Sequence, residues 1–194
     1  MNNWGKARGL VKNGGVIVFP TDTVWGIGCL FDNEQAVERI FTIKKRPKDL
    51  PLQVLIADKQ QLDLLVDQLP DHIRQMMEKF WPGALTIIMD AKDGLDLPLV
   101  IVDRSIGIRL PNHQDLRNFI NDLGKPLAAT SANFHGEIAP VAKADLSTDF
   151  IRQVDLVLDG KTGFGVESTV VDARTRQLKI IRQGAVHLGE SVKG

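Results

Sequence analysis

A chain of 194 residues with a hydrophobic share of 43% and 25% charged residues has the make-up of an ordinary globular domain with a sizeable core. Its 24 basic and 24 acidic residues cancel, so no global field draws nucleic acid, and any polyanion has to be met by a local cluster. The single cysteine, Cys29, excludes a disulfide framework and fits a reducing, cytoplasmic compartment.

Met1 to Gly15 contains no continuous apolar segment, no later run approaches the length of a membrane span, and no membrane association is expected. Asn2 or Asn3 is placed to cap a short helix carrying Ala7, Leu10 and Val11, which Asn13-Gly14-Gly15 ends. Val16 to Phe19 is a continuous apolar run, the pattern of a strand buried on both faces. Thr21-Asp22-Thr23 follows Pro20 as a small polar turn, and a second apolar run covers Val24 to Leu30. Asp32, with Gln35 three residues later, has the spacing of a capping box for a helix with Val37, Ile40, Phe41 and Ile43 on one stripe, closed by Pro47.

Leu52 to Ile56 is a strand, Asp58 caps a helix with Leu62, Leu65 and Val66, and Pro70 opens another helix that ends at Trp81-Pro82-Gly83. Leu85 to Met89, Leu99 to Val102 and Ile106 to Leu110 read as strands, with an Asp/Gly-rich excursion from Asp90 to Asp96. Gln114 to Leu123 is a helix ended by Gly124, Leu127 to Ala129 a short strand, and Lys143 to Phe150 a weak helix. Val154 to Leu158, Thr169 to Asp172 and Leu178 to Ile181 supply three final strands. Helices interleave with strands early and strands cluster late, which predicts one α/β domain over residues 1–194 on a twisted, mixed sheet.

Several constellations carry chemistry. Lys44, Lys45, Arg46 and Lys48 stand where a helix ends, where cations complement the helix dipole. Pro47 and the apolar strand behind it bring that cluster to a sheet edge, and an arginine with adjacent lysines suits phosphate recognition. Thr130-Ser131-Ala132-Asn133 follows a buried strand, the place where α/β sheets bind ligands, although an ordinary turn has the same composition. Arg109 and Arg182 are charges in apolar strands, and a buried charge needs either an ion-pair partner or a bound anion. Gly165 to Thr169 is a glycine-rich loop entering a strand at Ser168.

Other patterns fail. Gly160-Lys161-Thr162 is no phosphate loop, because Asp155 stands where the leading glycine is required. Gly26-Ile27-Gly28 lacks the third glycine of a dinucleotide fingerprint. Ser131 has neither a nucleophile elbow nor a partner histidine, and the four histidines fall in no zinc spacing, so no metal site is expected. Cys29 lies in an apolar run and is expected to be buried and inert.

The order Phe19 to Gly26, Lys44 to Pro47, Trp81-Pro82-Gly83, Ile106 to Pro111, Ser131-Ala132-Asn133, Glu167-Ser168-Thr169 and Arg182-Gln183-Gly184 resembles the YrdC/TsaC family of threonylcarbamoyl-AMP synthases, from about Gly14 to Gly184. The resemblance implies a single α/β domain with a twisted sheet around a basic cavity. It also implies a reaction in which L-threonine, bicarbonate and ATP give threonylcarbamoyl-AMP and pyrophosphate, with Mg²⁺ held mainly through the phosphates. Proteins of the tRNA threonylcarbamoyl-transfer machinery are the implied partners, and weak tRNA binding is left open.

By the same resemblance, Thr23, Arg109 and Ser168 are threonine-side contacts and backbone near Ala129 lines the junction. Lys44, Arg46, Ser105, Ser131, Asn133 and Arg182 are ATP-side contacts, with Lys44 and Arg46 acting on the phosphates. Trp25 stands where the family usually has Tyr or Phe, and Leu50 and Leu55 stand where many relatives have Asn and His. The chain also ends soon after Arg182, so the extra C-terminal domain of longer relatives is expected to be absent. Two rivals are a module that holds RNA without chemistry, which zero net charge disfavours, and a paralogue with another carbamoyl-type substrate.

Overall fold

The computed structural model describes residues 3–189. Helix α1 spans Trp4–Lys12, β1 Ile17–Phe19, β2 Gly26–Leu30, α2 Glu34–Lys44 and β3 Gln53–Leu55. They are followed by α3 at Asp71–Phe80, β4 at Leu85–Asp90, β5 at Ile101–Val102, β6 at Ser105–Arg109 and α4 at Gln114–Leu123. Strand β7 is Leu127–Ser131, α5 Thr148–Ile151, β8 Leu156–Val157, β9 Thr169–Asp172 and β10 Lys179–Arg182.

All ten strands join one sheet in the order β10-β9-β4-β6-β3-β7-β2-β1-β8, with β5 beside β6. Three pairs are parallel (β1 with β8, β3 with β6, β4 with β9) and the rest antiparallel, so the sheet is mixed, as the element pattern predicts. Because strand side chains alternate, the two faces can be read from the register. One face carries Val18, Ile27, Val54, Ile87, Ile108 and Val171 into the larger core, which α2 covers with Val37, Ile40 and Phe41 and α3 with Ile73 and Met76. The other carries Ile17, Phe19, Leu55 and Leu127 against Ala7 and Val11 of α1 and Leu116, Phe119 and Ile120 of α4. These two helices cover only part of that second face, and the site lies on the rest.

Several local expectations are corrected. Asn33, not Asp32, caps α2: its extended backbone lets the side chain accept from Ala36 N, while Asp32 pairs with Lys125. Asn3 sits at the cap of α1 without a side-chain bond, and Asn2 lies outside the described residues. Asp58 does cap a helical turn, but of 3₁₀ type over Lys59–Leu64. The weak helix near Lys143 is two short pieces, a 3₁₀ turn at Lys143–Asp145 and α5. Strand β7 runs on through Thr130 and Ser131, because both pair with β2. The glycines of β2 serve packing: a Cβ on Gly28 would stand 2.8 Å from Ala128 O and 3.0 Å from the Phe19 ring.

Candidate functional site

A cavity of about 390 Å³ opens on the second face, beside a narrow recess of about 20 Å³. Small residues make the room. On that face β6 presents Gly107, β7 presents Ala129 and Ser131, and β2 presents Gly26. The two hollows share one wall, formed by Gln53, Ala129, Thr130, Ser131, Glu167 and Arg182. A more open groove of about 1020 Å³ lies against β10, lined by Asp90, Asp172, Arg174 and Lys179, of which Asp172 and Arg174 are paired with each other.

Arg109, on β6, is the most deeply buried charge of the recess. Its guanidinium donates to Asp22 Oδ1 at 2.5 Å, Thr23 Oγ1 at 3.0 Å and Gly83 O at 3.0 Å. Burial pulls its pKa down and the Asp22 carboxylate opposes that pull, so this pair is what allows an arginine in the core at all. Thr21 Oγ1 bonds Thr23 Oγ1 and donates to Val24 O, which locks the polar turn between β1 and β2. Ser168 is buried at the entry to β9 and its hydroxyl meets Thr86 Oγ1 at 2.9 Å.

The second apolar-strand arginine behaves differently. Arg182 is half-exposed at the end of β10, with Nη1 donating to Glu167 Oε1 at 2.7 Å and Nη2 to Ser168 O at 3.0 Å and Ser168 Oγ at 3.2 Å. Both arginines therefore have ion-pair partners, and both line the recess. Arg182 and Arg46 reach the larger cavity together, and Arg46 donates to Leu50 O and Pro51 O. Burial and then Arg182 lower the pKa of Arg46, while the charge of Glu167, which is ion-paired to Arg182, raises it. Ser105 also lines this cavity, with its hydroxyl donating to Val102 O.

The cationic run is divided four ways. Lys44 is buried, and its Nζ donates to Ser131 O at 2.5 Å and Asn133 O at 2.7 Å. Lys45 takes a left-handed backbone and stands 5.2 Å over the Phe134 ring, and Lys48 pairs with Glu38 on the outside. Arg46 alone of the four lines the cavity. Burial, reinforced by Arg46, lowers the Lys44 pKa to about 7. Asn133 lines neither hollow; its Nδ2 donates to Phe134 O and Glu137 O. Thr23, Arg109 and Ser168 thus meet at the recess, Arg46 and Ser105 at the larger cavity, and Ala129, Ser131 and Arg182 at both.

Gln53, Thr86 and Glu167 are lining residues that the sequence reading left out. A signal for the first two exists: each is the polar interruption of an apolar strand. Glu167 had no such signal, because it precedes β9 in a loop of mixed composition. Cys29 is buried, and burial pushes its thiol up to about 12, so it is inert as expected. Among the described residues no group of three or more His, Cys, Asp and Glu side chains could hold a metal ion, and no helix is long and apolar enough to cross a membrane.

Known proteins resemble this chain over most of its length. A threonylcarbamoyl-AMP synthase of Pyrococcus abyssi is 35% identical over 96% of the chain and 55% of its own length. One of Vibrio vulnificus is 34% identical over 90% of the chain and 94% of its own length. A structure of P. abyssi Sua5 complexed with L-threonine superposes with a TM-score of 0.87 at 32% identity, over 93% of the chain and 54% of that protein. E. coli YciO gives 0.84 at 26% identity, over 93% and 88%. The chain spans about half the length of the P. abyssi protein and of a similarly named relative in Bacillus subtilis. The model of the Sua5/YciO/YrdC family, described as "Telomere recombination", matches residues 9–184, and the chain belongs to that family.

Proposed function

We propose that the chain is a threonylcarbamoyl-AMP synthase, which makes threonylcarbamoyl-AMP and pyrophosphate from L-threonine, bicarbonate and ATP for the modification of tRNA. The observation that carries the reading is the pair of hollows with a common wall, one backed by Arg109 and the other edged by Arg46 and Arg182. A cavity of about 390 Å³ lies in the range of small-molecule sites, and the name of the Vibrio relative, which the chain nearly spans, supports the same chemistry.

In this reading the recess takes the anionic end of threonine beside Arg109, Thr23 and Ser168, and the larger cavity takes ATP beside Arg46, Ser105, Ser131 and Arg182. Threonine's amine joins bicarbonate to form a carbamate, with loss of water. A carbamate oxygen then attacks the α-phosphorus, and the bond to the bridging oxygen of the β-phosphate breaks, so pyrophosphate leaves with the electron pair. Such a displacement needs positioning and cations where charge develops rather than a general-base triad. Arg46 and Arg182 supply the cations, and Lys44 and Asn133 act by fixing the Ser131–Asn133 backbone. Mg²⁺ belongs to the substrate, entering on the phosphate oxygens of ATP, because the donors of the described residues build no cage for it. Transfer proteins that hand the threonylcarbamoyl group to tRNA, a weak contact with tRNA itself, a positively charged cavity and a cytoplasmic location belong to the same proposal.

Incubation with ATP, bicarbonate and each of the twenty amino acids, read as pyrophosphate release and adduct mass, tests it. Threonine alone is expected to respond; equal response to several amino acids, or none, overturns the reading.

A further inference from the structure

A directed chain of hydrogen bonds crosses the sheet at the wall between the hollows. Its start is fixed, because the Arg182 guanidinium can only donate, and Nη2 meets Ser168 Oγ at 3.2 Å. The Ser168 hydroxyl then has its proton for Thr86 Oγ1 at 2.9 Å, and Thr86 gives its own to Gln53 Oε1 at 2.7 Å. Reversing the chain by flipping the Gln53 amide would leave the Ser168 proton with no acceptor among the described residues. The direction therefore sets the amide: Oε1 faces Thr86, and the Nε2 group faces away from it.

The contact runs diagonally across β6. Strands β4 and β3 both flank β6, and by register Gln53 lies beside Gly107 and Thr86 beside Arg109, on one face of the sheet. A Cβ on Gly107 would stand 3.4 Å from Thr86 Cγ2, so the glycine leaves room beside the pair. Gln53 is half-buried, lines both hollows, and among the described residues its Nε2 group donates to no protein acceptor. Two N–H donors held in a fixed direction and open to both hollows are placed to meet an acceptor on a bound ligand.

We infer that Gln53 is a substrate-contacting residue whose Nε2 group donates to an anionic oxygen at the shared wall. Under the proposed function, on which this rests, that oxygen is either a carboxylate-type oxygen of threonine or its carbamate, or an α-phosphate oxygen of ATP. The polar chain would then tie the contact on one side of the wall to Arg182 on the other.

The test compares Gln53→Met, which keeps size and loses both polar ends, with Gln53→Glu, which keeps the acceptor for Thr86 and puts negative charge where the donor was. ATP and threonine are titrated separately by calorimetry, pyrophosphate release gives kcat and KM, and melting temperature is followed. Gln53→Met is expected to weaken one of the two ligands, or kcat/KM, about ten- to a hundredfold, and Gln53→Glu to weaken the same quantity further. The ligand that responds identifies the source of the oxygen. A merely structural glutamine predicts the opposite order, with Gln53→Glu the milder change, and that order would overturn the inference, as would unchanged binding and turnover in both. A wild-type protein that binds ATP and threonine but forms no adduct would count against the proposed function alone, because the two titrations still rank the variants.

Discussion

Asp22→Leu is expected to cost far more than its place in a short turn suggests. The carboxylate is buried and stands 2.5 Å from Arg109 Nη2, whose guanidinium is buried as well. At an effective dielectric of about 20, two unit charges about 4 Å apart attract by about 4 kcal/mol, and breaking a buried pair leaves a charge with no compensation, a loss of about 3–5 kcal/mol. For a domain of this size that corresponds to a fall in melting temperature of about 6–20 °C. Urea titration of Asp22→Leu, of Arg109→Met and of the double variant separates the terms. The double variant should recover most of the stability, since neither buried charge remains. It should not recover threonine binding, because the guanidinium that faces the recess is gone. A single Asp22→Leu variant with a wild-type midpoint would refute the reasoning, as would a double variant no better than the worse single one.

Arg46→Ala should lower the rate of pyrophosphate release about a hundredfold or more, the worth of a bidentate phosphate contact, with the fold intact by circular dichroism; near-normal turnover would remove Arg46 from the proposed reaction. Gly107→Val should weaken ATP binding at least about tenfold in calorimetry while changing melting by only a few degrees, because the new Cβ stands 3.4 Å from Thr86 Cγ2 and its branches reach into the cavity. Lys44 is charged below its pKa of about 7, so the KM for ATP should rise between about pH 6 and about pH 8.5, and Lys44→Met should flatten that dependence. The stability term has the opposite sense: a folded pKa of about 7 against 10.5 means the unfolded chain binds more protons between those values. Lys44 therefore adds a rise in stability with increasing pH over that window, which denaturant midpoints of wild type and Lys44→Met should resolve.

Patterns that depend on neighbours in sequence were legible. Apolar runs located β1, β3 and β4, and the stripe Val37, Ile40, Phe41 located the buried face of α2. The presence of charge in apolar strands picked out Arg109 and Arg182, but not their difference, since one partner is fully buried and the other half-exposed. That distinction depends on where β6 and β10 fall in the sheet, near its middle and at its edge. The four cations of residues 44–48 looked like one cluster because sequence distance hides direction. A helix end and a left-handed residue at Lys45 send them to four different surroundings. Gln53 and Thr86 each interrupt an apolar strand, but that signal names no partner until the register of β3, β6 and β4 sets the two side chains on one face of the sheet.

The two arginines divide the labour of the site by how tightly each is already paired. Arg109 has a permanent counter-ion in Asp22, with two further acceptors, so its charge is held in place without a ligand and its geometry is fixed before anything binds. Arg182 also has Ser168 O and Ser168 Oγ as acceptors, but its ion pair with Glu167, with side chains 41% and 36% exposed, is worth little in water. Under the proposed function, an incoming phosphate takes over the guanidinium of Arg182 at small cost, and Glu167, whose charge also acts on Arg46, is the group that must yield. The same carboxylate that quiets two cations in the free protein would repel the phosphates if it stayed. Removing its charge with Glu167→Gln should then tighten ATP binding, whereas looser binding would mean that the glutamate itself holds the nucleotide.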